Sequence, residues 1–381
     1  MKIVCATNMP YALEAFSTLG DAVILEGRHI RKADVKEARI LALRSTTKVD
    51  RELLEGSNVG FVGTATIGTD HLDIPYMEQA GIRWCFAPGC NANSVSEYIT
   101  AALLVLAGRG GYRLEGLTLG VVGVGNVGSR VVKKAEALGM RVLKNDPPLQ
   151  RRTGDPAFVS LDRIRDEADI VTFHVPLTKT GPDATVHLAG EAFFGGLKKP
   201  IVLLNAARGP VVDPQALVRA LDAGRVKQVV LDTWEGEPAF SRSLLDRVDI
   251  GSPHIAGHSF EGKVAGTMMV YAAACEWLGV APSFSPEALL PPALVPELMV
   301  KAAGRADEDV LREIVKPVYD IEADHARMRA IDAAEAARGK EFDRQRKDYP
   351  MRREFRYTRV TAAGASPALL AKLKGLGFKG Q

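Results

Sequence analysis

Gly120-Val121-Val122-Gly123-Val124-Gly125-Asn126-Val127-Gly128 restricts the fold of this 381-residue chain more than any other stretch. Leu117–Val122 reads as a short buried strand and Gly128–Leu138 as a helix, joined by the spacing Gly123-x-Gly125-x-x-Gly128. In such a turn the first glycine permits the tight reversal and the second lets the backbone approach a phosphate. The third lets helix and strand pack closely. The helix N-terminus then presents unpaired N–H groups and a partial positive charge to an anion. A second strand, Arg141–Asn145, ends at Asp146, eighteen positions after Gly128. That is close to the ~20-residue spacing of the acid that meets the ribose hydroxyls of a bound dinucleotide.

The rest of the chain repeats the strand–helix rhythm. Short apolar runs at Lys2–Ala6, Ala22–Leu25, Ile40–Leu43, Val59–Gly63 and Ile82–Phe86 alternate with helical stretches. A long helix is predicted over Ser94–Leu106, ending at Gly108-Arg109-Gly110-Gly111, which reads as a hinge or junction. Strands follow at Ile170–His174, Ile201–Asn205 and Gln228–Leu231, and a helix at Ala265–Trp277. Such spacing predicts an α/β chain with two Rossmann-like domains, each a doubly wound parallel sheet. After the linker-like Ala281–Pro286 and Leu290-Pro291-Pro292 the character changes. Charged helices at Ala306–Ile314, Ala323–Ala337 and Glu341–Lys347 and a strand at Arg356–Thr361 predict a small C-terminal α/β domain. The expected boundaries are 1–94 with 263–286, then 95–262, then 287–381.

A net charge of +3 with 25% charged residues gives no electrostatic footprint for nucleic acid or a membrane surface. No apolar run approaches the ~20 residues that span a bilayer, and the N-terminus lacks a signal-like segment, so a cytoplasmic protein is expected. Cys5, Cys85, Cys90 and Cys275 match no metal or redox spacing and read as buried free thiols. No metal site is expected.

Three further motifs each follow a predicted strand. They are Asn205-Ala206-Ala207-Arg208-Gly209, Asp232-Thr233-Trp234-Glu235-Gly236-Glu237-Pro238 and Ser252-Pro253-His254-Ile255-Ala256-Gly257. Singly, Arg208 could pair with an acid at the sheet edge, Glu237 could be a solvated loop acid, and His254 could pack a turn. Together, after a dinucleotide turn, they supply what oxidation of a 2-hydroxy acid requires. Arg208 would hold the carboxylate and the C2 oxygen through its planar fork. His254 would take the hydroxyl proton, with Glu237 fixing and charging the imidazole. Asp232 reads either as a contact to the nicotinamide carboxamide or as a structural acid. A carboxylate at Asp146 repels a 2′-phosphate and so favours NAD over NADP, although Arg151 and Arg152 lie close by.

These segments resemble the D-isomer-specific 2-hydroxyacid dehydrogenases over roughly residues 1–280, including Gly68-Thr69-Asp70-His71-Leu72-Asp73. A closer likeness to one branch of that family runs through Arg44-Ser45-Thr46-Thr47, Gly63–His71, Ala87–Ala92, Asp146-Pro147-Pro148 and His254–Lys263. It extends into the tail at Val318-Tyr319-Asp320 and Tyr349–Glu354. The resemblance implies oxidation of 4-phospho-D-erythronate to 2-oxo-3-hydroxy-4-phosphobutanoate with NAD, on the way to pyridoxal 5′-phosphate. It maps the catalytic trio onto Arg208, Glu237 and His254. It assigns substrate contacts to Ser45, Thr66 and His258. It assigns cofactor contacts to Asn126, Val127, Asp146, Ala206, Ala207, Arg208, Asp232 and Gly257, which join Gly123, Gly125 and Gly128 of the turn and Val175 beside the cofactor. It makes 1–94 with 263–286 the substrate-binding domain, 95–262 the NAD-binding domain and 287–381 the dimerisation domain of a homodimer.

Two positions depart from the family's pattern: His258 stands where a tyrosine is usual, and Val175 replaces a small polar residue. For the substrate phosphate, Arg44 and Lys263 lie in matching motifs. Arg352 and Arg353 read either as phosphate ligands or as a salt bridge across the dimer contact. A 3-phosphoglycerate dehydrogenase is the nearest rival reading, since the substrates differ by one hydroxymethylene unit, worth only a few kcal/mol. An NAD-gated binding module without turnover is the alternative from another class.

Overall fold

The structure is a computed structural model and describes residues 1–331 and 334–380. Contacts divide the chain into two compact units, Met1–Asn91 with Ser259–Pro292, and Ala92–His258 with Ala293–Gln381. Runs of apolar residues too short for helices and bounded by turns become the strands of two parallel sheets.

In the first unit these are β1 (Lys2–Ala6), β2 (Asp21–Leu25), β3 (Ala38–Leu43), β4 (Phe61–Thr64) and β5 (Arg83–Phe86). Their order is β2-β1-β3-β4-β5, all parallel. The helix Phe260–Leu278 buries Val270, Tyr271, Ala274 and Cys275 against Ile3, Cys5, Ile40, Ala42 and Phe61. Gly63 makes that approach possible, because a Cβ there would stand 2.2 Å from a Val270 methyl.

In the second unit β6 (Thr118–Val122), β7 (Arg141–Asn145), β8 (Ile170–Phe173), β9 (Ile201–Asn205), β10 (Val226–Leu231) and β11 (Ile250–Gly251) form the other sheet. Its order is β11-β10-β9-β8-β6-β7, again parallel. Every residue of β6, β8 and β9 is buried, the pattern of strands covered on both faces by helices. The order reverses between β6 and β8, so the chain after β6 leaves the sheet at the point where such folds open a crevice beyond the strand ends.

The same unit holds a smaller parallel sheet, β12 (Glu297–Lys301), β13 (Arg359–Ala363) and β14 (Lys379–Gly380), ordered β12-β13-β14. Helices Asp307–Val318 and Pro367–Leu376 share a core with Ala92–Gly110 and Gly128–Ala137 through Val310, Leu311, Ile314, Leu369 and Leu373.

Several details differ from expectation. The long helix does not stop at Gly108 but runs to Gly110. At Gly108 the Arg312 guanidinium lies 2.6 Å from where a Cβ would be, so this glycine makes room for that side chain. Strand β12 has no periodicity to reveal it, since of Glu297–Lys301 only Val300 is buried. Within the predicted helix over 323–337 the structure has Ile321–Arg329 and Glu335–Lys347, and residues 332–333 lie outside the described residues. The strand predicted at Arg356–Thr361 begins only at Arg359, after a single 3-10 turn over Phe355–Tyr357. All four cysteines are free; Cys5 and Cys275 are buried, and Cys85 and Cys90 only partly so. Among the described residues no helix is long and apolar enough to cross a membrane, and no group of side chains could hold a metal ion.

Candidate active site

Arg208, Glu237 and His254 follow three neighbouring parallel strands, β9, β10 and β11, so all three loops leave the same edge of the sheet. Each loop is fixed by polar contacts close to its functional residue. After β9, Asn205 Nδ2 donates to the Arg208 carbonyl at 2.9 Å, and Asn205 Oδ1 accepts from Ala207 N–H at 3.1 Å. Gly209 lets this turn close on the next loop, for a Cβ there would meet the Trp234 carbonyl at about 2 Å. Arg208 is half-buried, donates to the Ala207 carbonyl at 2.9 Å, and has no carboxylate partner among the described residues. The sheet-edge ion pair considered above therefore does not form.

After β10, Trp234 is buried and its indole N–H donates to the Ser252 carbonyl at 2.9 Å. Its backbone N–H donates to Glu237 Oε2 at 3.1 Å, which turns Oε1 towards His254. His254 Nδ1 lies 2.6 Å from that oxygen. Burial raises the Glu237 pKa, but the His254 charge and hydrogen bond, the Trp234 N–H and the Arg346 cation outweigh it, and the net direction is down. Glu237 is therefore a carboxylate at neutral pH, and it selects the tautomer with the proton on Nδ1. Nε2 is then the basic nitrogen. The other acid of this loop, Glu235, is taken by His187 Nε2 at 3.0 Å, so geometry distinguishes two acids that composition does not.

His254 itself has left-handed backbone, φ +55°, a conformation that L residues with a Cβ rarely adopt. Asp232 holds it there. Its main-chain carbonyl accepts from His254 N–H at 2.7 Å. Its side chain accepts from Ser252 Oγ (2.6 Å), Ile255 N–H (2.8 Å) and Ala256 N–H (3.0 Å). Tyr98, wholly buried, completes the chain with its hydroxyl 2.8 Å from Ser252 Oγ. Asp232 is only 1% exposed, and burial pushes its pKa up, against the His254 charge and these hydrogen bonds. Of its two readings, the structural acid is the one its partners describe.

The glycine turn leaves β6 four strands from β11. Gly123 has φ +88°, and a Cβ there would sit 2.6 Å from the His174 carbonyl; at Gly128 it would sit 1.9 Å from the Gly123 carbonyl. At Gly125 nothing lies within 4 Å. Two glycines thus close the turn, while the middle one leaves open surface beside the exposed Asn126, as close approach of a diphosphate requires. Asp146 accepts from Val124 N–H at 2.8 Å and from Leu149 N–H at 2.9 Å, one carboxylate oxygen each, so it also braces the turn. Val175 packs a methyl against Gly123, and its neighbour His174 has a buried Nδ1 without a hydrogen-bond partner. The residues present fit a dinucleotide.

The remaining expected contacts fall partly in these loops and partly in the first unit. Ala206 and Ala207 sit in the Arg208 turn, and Gly257 and His258 follow the His254 turn, with the His258 ring edge-on to Tyr349 at 5.9 Å. In the first unit Ser45 is exposed after β3, and Thr66, after β4, bonds Thr64 Oγ1 (2.8 Å) and the Gly68 carbonyl (2.9 Å). Arg44 donates to the Ala65 carbonyl at 2.8 Å. Arg352 and Arg353 are buried within their own unit, each 5% exposed, and stack on Tyr319 and Tyr357. They are neither surface cations for a phosphate nor available to bridge a dimer contact. Asn205, Ser252, Trp234 and Tyr98 escaped the sequence reading; Asn205 and Ser252 stand at the heads of their motifs, but nothing local marks Tyr98.

Residues 104–256 match the model described as D-isomer specific 2-hydroxyacid dehydrogenase, NAD binding domain, and 289–377 match a domain of unknown function (DUF3410). The chain is 48% identical to the erythronate-4-phosphate dehydrogenase of Cronobacter sakazakii, over 98% of this chain and 97% of that one. It is 47% identical to that of Edwardsiella ictaluri over 99% of both. Among solved structures, the D-lactate dehydrogenase of Aquifex aeolicus complexed with NAD and lactic acid is similar at 26% identity. That match covers 73% of this chain and 96% of that one, with a TM-score of 0.58. The loops after β6, β9, β10 and β11 and these near full-length likenesses agree, and the chain belongs to the erythronate-4-phosphate dehydrogenases, within the D-isomer-specific 2-hydroxyacid dehydrogenase family.

Proposed function

We propose that this protein oxidises 4-phospho-D-erythronate at C2, giving 2-oxo-3-hydroxy-4-phosphobutanoate, with NAD as the acceptor, in the synthesis of pyridoxal 5′-phosphate. The observation that carries the chemistry is the 2.6 Å pair between Glu237 Oε1 and His254 Nδ1, which leaves Nε2 as base. Nε2 takes the C2 hydroxyl proton, and Glu237 stabilises the imidazolium that results. Arg208, with no carboxylate partner among the described residues, binds the substrate carboxylate and the C2 oxygen. NAD, when bound, supplies the hydride acceptor, and the turn Gly123–Gly128 with Asn126, Val127, Asp146 and Val175 is the surface that would hold it. The family's residue pattern assigns Ser45, Thr66 and His258 to the substrate, and Ala206, Ala207, Asp232 and Gly257 to the cofactor. For Asp232 that contact runs through the loop it shapes, since its buried carboxylate faces Ser252, Ile255 and Ala256.

The protein's setting in this reading is the cytoplasm, whose reducing conditions suit four free thiols. Its assembly is a homodimer through the C-terminal segment. Met299, 81% exposed on the edge strand β12, and Leu294, 73% exposed just before it, are the apolar surface such a contact would cover.

The test is NADH formation with 4-phospho-D-erythronate against 3-phospho-D-glycerate. Erythronate phosphate is expected to lead by about tenfold or more in kcat/KM, ~1.4 kcal/mol of barrier. A lead for phosphoglycerate would overturn the substrate, and silence with both would overturn the activity.

A further inference from the structure

Loops that carry chemistry are usually held by the elements they connect, but here much of the support for β11 and the His254 turn comes from residues more than sixty positions downstream. Arg352 is buried, and its Nη2 donates to the carbonyls of Ala256 (2.9 Å) and of Ser94 in the long helix (2.8 Å). The two peptide groups flanking the Ala256 Cα are thereby both pinned, the N–H by Asp232 and the carbonyl by Arg352. Arg352 is itself fixed by stacking on Tyr319, 4.1 Å from the ring centre. Upstream of His254, Gly251 N–H donates to His325 Nδ1 at 2.9 Å. The acid loop is braced from the same segment. Phe342 packs on Phe240 at 5.7 Å between ring centres, and Gly339 lies against Pro238, the residue after Glu237.

We propose that residues of the C-terminal segment, Arg352 and His325 foremost, are positioning residues for the Glu237–His254 pair of their own chain. The proposal rests on the assignment of that pair as the proton-transfer groups. Its physical basis is the left-handed backbone at His254. A residue with a Cβ stays in that region only where its surroundings over-determine it. Asp232 supplies one side of that constraint and Arg352 and His325 the other. Gly251, three residues before His254, and Ala256, two after it, are thus both tied to the C-terminal segment. Sub-ångström drift of an imidazole against its substrate lowers rate far more than it lowers binding, because reaction needs near-attack geometry and binding does not.

The experiment measures turnover per NAD-binding site, the substrate KM and thermal stability in the full-length protein, for Arg352→Lys, His325→Ala and His325→Asn, with His254→Gln as control. Lysine keeps the charge of Arg352, but its shorter side chain places the ammonium short of the Nη2 position that reaches both carbonyls, and it lacks the plane that stacks on Tyr319. Asparagine can restore the acceptor that alanine removes. We expect Arg352→Lys and His325→Ala to lower turnover per site by about tenfold to a hundredfold with KM little changed, and His325→Asn to recover most of the loss. Wild-type turnover per site in both Arg352→Lys and His325→Ala would overturn the proposal, even if stability or the number of NAD-binding sites fell. Near wild-type turnover in His254→Gln would instead overturn the dyad assignment and the proposal with it.

Discussion

The glycine turn at 123–128 and the His254 turn leave the same sheet, and each needs a backbone that ordinary residues avoid. They reach it by opposite means. Gly123 adopts φ +88° at no steric cost, and Gly128 makes room for the Gly123 carbonyl, so a few adjacent residues and Asp146 suffice. At 254 glycine cannot serve, because an imidazole is wanted there. The φ of +55° is held instead by Asp232, Ser252 and Tyr98 on one side and by the C-terminal segment on the other. Where only backbone meets the ligand, the solution is local. Where a side chain must act from a left-handed residue, the constraint is carried by distant groups.

The largest expected effect tests the chemical side of this contrast. His254→Gln should lower kcat by about 10²–10⁴-fold with the NAD dissociation constant unchanged, read from NADH production and from titration calorimetry. Next come the glycines, which should separate stability from binding. Gly128→Ala, with its Cβ 1.9 Å from a carbonyl oxygen, should cost several kcal/mol in urea unfolding and abolish NAD binding. Gly125→Ala should unfold like the wild type yet bind NAD at least about tenfold more weakly. Unchanged affinity in that variant would mean that the diphosphate does not approach there.

Asp232→Asn should cost about 1–3 kcal/mol and lower kcat, since an amide oxygen and its NH2 group cannot accept three donors where a carboxylate does. Tyr98→Phe removes only the outer link and should cost about 1 kcal/mol, with a small fall in kcat. A loss of activity larger than for Asp232→Asn would show that the constraint runs through the helix rather than through the acid.

The smallest effect at neutral pH concerns His174, whose carbonyl abuts Gly123. Burial pushes its pKa down from 6.5 to about 3. The unfolded chain binds the extra proton first, so stability is full above 6.5 and falls as pH drops from 6.5 towards 3. Glu237 acts in a lower window: its depressed pKa makes its contribution present above 4.5 and lost as pH falls through the folded value. Burial also lowers the pKa of His71, to about 4, and of His325. Thermal melts against pH should therefore show a decline beginning near 6.5, and His174→Gln should make that first part shallower without abolishing it.

Much of this was readable in the chain. The strands were plain because buried parallel strands are short apolar runs, and β7 and β9 begin and end where the pattern placed them. The turn at 123–128 was plain because glycine is nearly the only solution to its geometry. Arg208, Glu237 and His254 were visible only as a set, three motifs in order downstream of a dinucleotide turn. Strand β12 was not, since an edge strand with one buried residue has no period to detect.

What the sequence determined, then, is the strands of the two larger sheets, the phosphate-cradling turn and the three chemical groups, because each is encoded by neighbours within a few residues. Tertiary structure decided which acid serves His254: Glu237 bonds the imidazole, whereas Glu235 turns to His187 and Asp232 turns inward to the loop. It also decided that Arg352 is a buried strut on Ala256 rather than a cation awaiting a phosphate. Those outcomes depend on which residues, tens to hundreds of positions apart, come within hydrogen-bonding distance. Only the closed packing of the helices and sheets sets those distances.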